Sequence, residues 1–251
     1  MAVEGKTIDA LSQFELSPVL GILGDAVSFS QSNLFMVIAV ALTWYLMKAT
    51  ADRGEVVPGR LQALGESAYG FIQGMVRDQV GDEGKRYFPF VFSIFMFVLF
   101  GNLLGMLPYA FTFTSHIVVT LTLAVVVWVA VTVIALQRHG THFFSYFFPE
   151  GAPAWLAPII IPVEIISYLS RMVSLSVRLF ANMVAGHVML KVFATFVVLL
   201  GGLGAVGPFV AAMPLAVNIA LVGFEFLVAF LQAYVFAILT SIYLHDAVHL
   251  H

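Results

Sequence analysis

Residues 161–200 read IPVEIISYLSRMVSLSVRLFANMVAGHVMLKVFATFVVLL. Past Pro162 this run contains no proline and a single glycine, Gly186. As one helix it would extend roughly 60 Å at about 1.5 Å per residue, against a hydrocarbon core of about 30 Å. Residues 208–250 form a second apolar run of similar length, with only Pro214 and Gly223 as candidate bends. Gly201, Gly202, Gly204 and the pair Gly207-Pro208 supply a turn between the two. With no breaker inside the first run, a single steeply inclined helix fits better than two spans with a hidden break. The C-terminal part is therefore expected to be a hairpin of two long inclined helices.

Three shorter apolar runs precede it. Residues 33–49, 87–107 and 116–136 are each close to the ~20 residues that a span requires. The third is rich in β-branched residues, but its length favours a helix over a strand, and open strands cannot cross a bilayer. Between the first two, Leu61, Leu64, Ala68, Phe71, Ile72, Met75 and Val76 recur at spacings of three and four. That pattern predicts an amphipathic helix over 61–80, lying on the membrane surface or docked on another protein. Residues 139–160, broken by Gly140, Pro149, Gly151, Pro153 and Pro158 and rich in aromatics, read as an interfacial loop. The expected fold class is an all-α integral membrane protein. Its parts are an outer segment 1–32, three spans with the amphipathic helix in 33–138, the loop 139–160 and the hairpin 161–251.

Composition agrees. Of 251 residues, 61% are hydrophobic and only 10% charged, too few to clothe a soluble surface. The net charge of -3 gives no electrostatic basis for a nucleic-acid partner. The absence of cysteine removes thiolate catalysis and iron–sulfur ligation. Glu4, Asp9, Glu15 and Asp25 give the N-terminus the wrong charge for a cleaved leader. Orientation follows from the basic residues. Lys48, Arg53, Arg60, Arg77, Lys85, Arg86 and Arg138 cluster on one side, predicting that side as cytoplasm or matrix, with the N-terminus outside and the C-terminus inside.

Ionisable groups inside apolar helices mark function by default. The long runs hold Glu164, Arg171, Arg178, His187, Lys191 and Glu225, with Asn182, Asn218 and Gln232. Glu164, Arg171 and Arg178 are seven apart and share a face with Ser174 and Asn182. Folded antiparallel about the glycine-rich turn, the hairpin would set Arg178 level with Gln232 and His187 near Glu225. The same register puts Lys191 near Asn218 and Glu164 near Asp246. His187 lies nine residues from Arg178, half a turn away in azimuth, so two polar surfaces are implied. An arginine stays charged and can hold a carboxylate ionised. A histidine and a glutamate titrate nearer neutrality and can relay protons, with His116 a further candidate on that path. Terminal His245, His249 and His251 are expected to be solvated rather than to hold metal, and no cofactor is expected.

These residues carry a resemblance. The segment Ser174-Leu175-Ser176-Val177-Arg178-Leu179-Phe180-Ala181-Asn182-Met183 resembles the signature of subunit a of F-type ATP synthases. Leu231-Gln232-Ala233-Tyr234-Val235-Phe236 is similar to that family's last-helix motif, and Asn102-Leu103-Leu104-Gly105-Met106-Leu107-Pro108 to the pattern closing its second span. The resemblance runs from the first span to the C-terminus. It implies that Arg178 faces a rotating ring of c subunits, with Gln232 and Ser174 beside it. It implies that His187, Glu225, Asn182 and Asn218 line an inlet half-channel. Glu164, Arg171 and Asp246 would lie toward the exit, by a weaker analogy. Gly105 stands where many bacterial relatives carry an acid. Expected partners are the c ring, b-type peripheral-stalk subunits, the rest of the complex and the lipid membrane, with no nucleotide bound by this chain. A bacterial plasma membrane and a mitochondrial inner membrane both fit, and the length and acidic N-terminus favour the former.

The principal rival is a transporter or channel working alone, which would place its site at broken helices. The unbroken run before Gly201 argues against it. An intramembrane enzyme would need paired carboxylates, a Ser/His pair or a metal motif at workable spacing, none of which occurs. A pure scaffold would leave Arg178 unexplained.

Overall fold

The computed structural model describes residues 18–21, 28–53, 57–107, 110–140, 143, 147 and 154–249. Most of the N-terminal segment 1–32, Pro108, most of the aromatic loop and His251 lie outside these residues. Two short strands, β1 (Pro18–Gly21) and β2 (Ser28–Ser30), pair antiparallel ahead of the helices. No sequence pattern announced them. Six helices follow: α1 (Gln31–Arg53), α2 (Arg60–Val80), α3 (Phe88–Gly105), α4 (Ile117–His139), α5 (Ala157–Gly201) and α6 (Gly207–Val248). Five of them, all but α2, are long and apolar enough to cross a membrane.

The two long runs are continuous helices of 45 and 42 residues. At about 1.5 Å per residue each exceeds 60 Å. The first helix begins at Ala157, so residues 157–160, expected in the loop, are helical. The reason is local: Pro158 and Pro208 sit in the first turns, where a missing N–H costs nothing and φ is already helical. Pro162 and Pro214 lie further in without interrupting the helices. Gly207 makes the turn between them tight. A Cβ there would approach the Gly201 carbonyl oxygen to 2.5 Å.

Each long helix packs on the other, while α3 packs on α6, and α4 on both α5 and α6. The seam on α6 is made of small residues: Ala229, Ala233 and Ala237, one turn apart, are all completely buried. Small residues let backbones approach closely, which is what holds apolar helices together when lipid is as apolar as the protein. Phe95, Phe113, Phe236, Leu179, Met183 and Leu244 fill the remaining interior.

The buried stripe of α2 is Gln62, Gly65, Ile72, Met75, Val76 and Val80, which shares Ile72, Met75 and Val76 with the expected apolar face. Leu61, Leu64 and Phe71, assigned to the apolar face, are exposed. Toward α1 the close contact is at Gly65, whose missing side chain admits Thr50; a Cβ would lie 2.1 Å from the Thr50 hydroxyl oxygen. The helix thus uses one side for protein and leaves another apolar side bare.

Most hydroxyls in the apolar helices donate to the carbonyl four residues earlier, as at Thr43, Ser93, Thr122, Thr195, Thr240 and Ser241. Those bonds satisfy a polar group without involving a neighbour. Several of the hydroxyls that do reach across elements gather at one place.

Candidate functional site

That place is the end of the bundle where the chain passes from α3 to α4. Asn102, completely buried on α3, donates from Nδ2 to the Ala229 carbonyl of α6 at 3.2 Å. Its Oδ1 accepts from Thr114 at 2.9 Å. The Thr112 hydroxyl oxygen lies 2.9 Å from His187 Nε2 on α5 and donates to the Gly105 carbonyl at 3.1 Å. Ser115 donates to the Thr112 carbonyl at 2.5 Å. His116 stacks on Phe111. Deeper in, Thr120 and Ser176 join α4 to α5 at 3.1 Å.

His187 and Glu225 meet, as the antiparallel register predicted, with Nε2 and Oε1 3.7 Å apart. Both are interior, with side chains 13% and 5% exposed. Gly186 makes the room, since a Cβ there would lie 2.7 Å from Glu225 Oε1. Both Glu225 oxygens, Asn218 Oδ1 and His116 Nε2 are buried without a hydrogen-bond partner among the described residues. Polar groups buried in this way are ordinarily satisfied by water. Of these groups, His187 and Glu225 are an adjacent interior pair of titratable side chains. Lys191 is half-buried on α5, on the turn after His187.

Arg178 is elsewhere. It is exposed, along with Ser170, Ser174 and Asn182, which follow at four-residue intervals on one line of α5. Val173, Val177, Ala181 and Ala185 flank that line and are also exposed. On the far side of the same helix Leu175, Ser176, Leu179 and Met183 are buried. Arg178 has neither hydrogen bond nor ion pair among the described residues. Gln232, expected level with it, is buried, and no hydrogen bond joins the two. Asn182 stands on the Arg178 line rather than among the buried groups around His187.

At the other end of the hairpin, Asp246 pairs with Arg171, not with Glu164 as the register suggested; Arg171 Nη1 and Asp246 Oδ2 are 2.8 Å apart. Glu164 is half-buried, seven residues and so about two turns before Arg171 on α5. The Arg171 guanidinium also lies 5.2 Å from the Tyr243 ring centre. Close by, Tyr168 and Thr132 share a hydrogen bond at 2.6 Å. Arg138 at the end of α4 pairs with Glu83 and reaches the Val248 carbonyl at 3.4 Å.

Sequence reasoning placed the ionisable residues but gave no role to Thr112, Thr114 or Ser115. The available signal was the run Thr112-Phe113-Thr114-Ser115-His116, polar at four of five positions between two apolar spans. His245 and His249 stack at 4.7 Å, and among the described residues no group of three or more potential ligands is placed to hold a metal.

Comparison with known proteins was informative. Residues 33–245 match the family model described as ATP synthase A chain. The chain is 63% identical to ATP synthase subunit a of Granulibacter bethesdensis, with both chains covered in full. It is 55% identical to ATP synthase subunit a of Gluconobacter oxydans, covering 97% of this chain and 98% of that one. Against ATP synthase subunit a of Rhodospirillum rubrum the identity is 52%, over 96% of this chain and 98% of the other.

Proposed function

The chain belongs to the ATP synthase subunit a family, and from that premise we propose that it is the stator through which protons drive a ring of c subunits. The observation that carries the reading is the separation of two polar surfaces by the thickness of α5. Arg178 lies on an exposed line of short side chains, whereas His187 and Glu225 are enclosed behind it.

Protons enter from outside by way of His116, Asn218, Glu225 and His187. They neutralise a carboxyl on a c subunit where the ring meets the hairpin. Only the neutral carboxyl can face lipid cheaply, so protonation frees the ring to turn. After nearly a full turn the carboxyl reaches the exit half-channel, bordered by Ser174, Arg171, Asp246 and Glu164, and loses its proton to the inside. Arg178 then holds the carboxylate ionised as it passes, because a guanidinium keeps its charge and stabilises an adjacent anion. The same fixed charge blocks a proton from crossing directly between the half-channels. Small neighbours at Ser174, Ala181 and Ala185 let a ring helix come close. Asn182 and Gln232 flank the arginine.

In the membrane, α1, α3 and α4 span and α2 lies at the interface with Leu61, Leu64 and Phe71 toward lipid. The hairpin of α5 and α6 lies inclined against the ring. Charge asymmetry places Arg60, Arg77, Lys85 and Arg138 inside, in the cytoplasm of a bacterium. The peripheral stalk, of b-type subunits, holds this chain still. Torque passes to a catalytic head formed by other chains.

The test is proton transport in vesicles carrying Arg178→Ala in the assembled complex. ATP-driven pumping is expected to vanish while the complex stays whole. Normal pumping with this variant would sink the mechanism and return the stand-alone transporter to consideration.

A further inference from the structure

We propose that Thr112 is a positioning residue of the inlet, whose hydroxyl holds the His187 imidazole off Glu225. The proposal rests on the inlet role given to His187 and Glu225, and its test separates the two.

Thr112 is 6% exposed and belongs to neither long helix. It precedes the short turn Phe113–Ser115 that leads into α4. Its hydroxyl is where it is because residue 105 is glycine. A Cβ at Gly105 would fall 2.3 Å from Thr112 Oγ1 and 2.6 Å from its Cγ2. The threonine thus occupies the space that a side chain at 105 would need.

Hydrogen accounting then fixes what this hydroxyl does. Its single proton goes to the Gly105 carbonyl, which can only accept. In that arrangement the oxygen accepts from His187 across 2.9 Å, in the tautomer with the hydrogen on Nε2. Glu225 Oε1 stands 3.7 Å from the same nitrogen, outside hydrogen-bond range. Among the described residues that N–H thus has Thr112 engaged as an acceptor and Glu225 held at a distance. Neighbouring hydroxyls cannot take over. Ser115 is committed to the Thr112 carbonyl and Thr114 to Asn102.

Without the Thr112 hydroxyl, Nε2–H turns to the Glu225 carboxylate and closes into a tight charge-assisted pair. A proton shared in such a pair is given up slowly. The hydroxyl keeps the two relay groups adjacent but unlocked.

The experiment is passive proton conduction through inverted vesicles stripped of the catalytic head, with complex assembly measured alongside. Thr112→Val and Thr112→Ala are expected to lower conduction about tenfold, the scale of one hydrogen bond changing partner. Thr112→Ser, which restores the hydroxyl, should recover most of that loss. A packing role would instead separate Val, which keeps the volume, from Ala, which does not. Wild-type conduction in both Val and Ala variants, or no recovery with Ser, overturns the proposal, provided that His187→Ala and Glu225→Gln are impaired. If His187→Ala and Glu225→Gln conduct normally, the inlet reading fails and the proposal with it. Failure of both Val and Ala variants to assemble also overturns it, since the hydroxyl would then serve folding.

Discussion

The residue that most constrains chemistry here is a glycine. Gly186 lies beside Glu225, and a single methyl group there would come within 2.7 Å of a carboxylate oxygen. Overpacking of this kind costs about 1–3 kcal/mol and is relieved by moving the more mobile group, here the carboxylate. Gly186→Ala should therefore assemble but conduct protons more slowly, by roughly tenfold for each 1.4 kcal/mol that displacement adds to the barrier. Conduction equal to wild type would show that the Glu225 position is not critical. Ionisable residues such as Arg178, His187 and Glu225 were legible from sequence because charge is conspicuous in apolar helices. The hydroxyl of Thr112 was not, since most threonines in this chain satisfy themselves within their own helix. Only its place in the polar run 112–116 distinguishes Thr112 from Thr122, whose hydroxyl bonds the Val118 carbonyl.

At the scale of elements, the hairpin depends on its turn. Gly207 has the Gly201 and Leu200 carbonyl oxygens within 2.9 Å of where its Cβ would be, whereas Gly202 meets backbone only at 3.5 Å or beyond. Gly207→Ala should lower the melting temperature of the purified complex or release this subunit, with a cost of about 1–3 kcal/mol. Gly202→Ala should leave both nearly unchanged. Equal behaviour of the two variants would show that the close approach at Gly207 is unimportant. The sequence made the length of both helices plain, since apolar runs without internal breakers continue. It misjudged the start of α5 and left open which side of α2 meets protein. In the first case Pro158 opens a helix instead of closing a loop. In the second, Gly65 rather than a leucine makes the close contact with α1. A glycine reads as a gap in a hydrophobic pattern, although in packing it is the point of closest contact.

Across the whole molecule, the C-terminal end of α6 is held by the Arg171–Asp246 ion pair and by a hydrogen bond to the Val248 carbonyl from Arg138, which is itself paired with Glu83. Arg171–Asp246 is the more enclosed, with side chains 27% and 33% exposed, against 36% and 48% for Arg138–Glu83. Exposed pairs contribute about 0–1 kcal/mol, while removing one partner of an enclosed pair strands the other charge. Asp246→Asn should consequently loosen the end of α6 more than Glu83→Gln does, as read by amide hydrogen exchange over residues 240–248 in the intact complex. Equal exchange in the two variants would contradict this ranking. The antiparallel register anticipated His187 with Glu225 but not Arg171 with Asp246. Near the turn the register is set by the turn itself, whereas further out side-chain reach and helix inclination take over.

By itself the sequence determined that the chain is helical, that five helices are long enough to span, that the last two are twice the needed length, and which charges they carry. Those properties are written in local composition and periodicity, which do not depend on how helices meet. Tertiary structure alone decided which of the two polar surfaces is exposed, that of Arg178, and which is enclosed, that of His187 and Glu225. It also brought Thr112 of the α3–α4 connection onto a histidine 75 positions later. Such contacts depend on how closely backbones approach at Gly105, Gly186 and Ala229. That distance belongs to pairs of helices and cannot be read from either one.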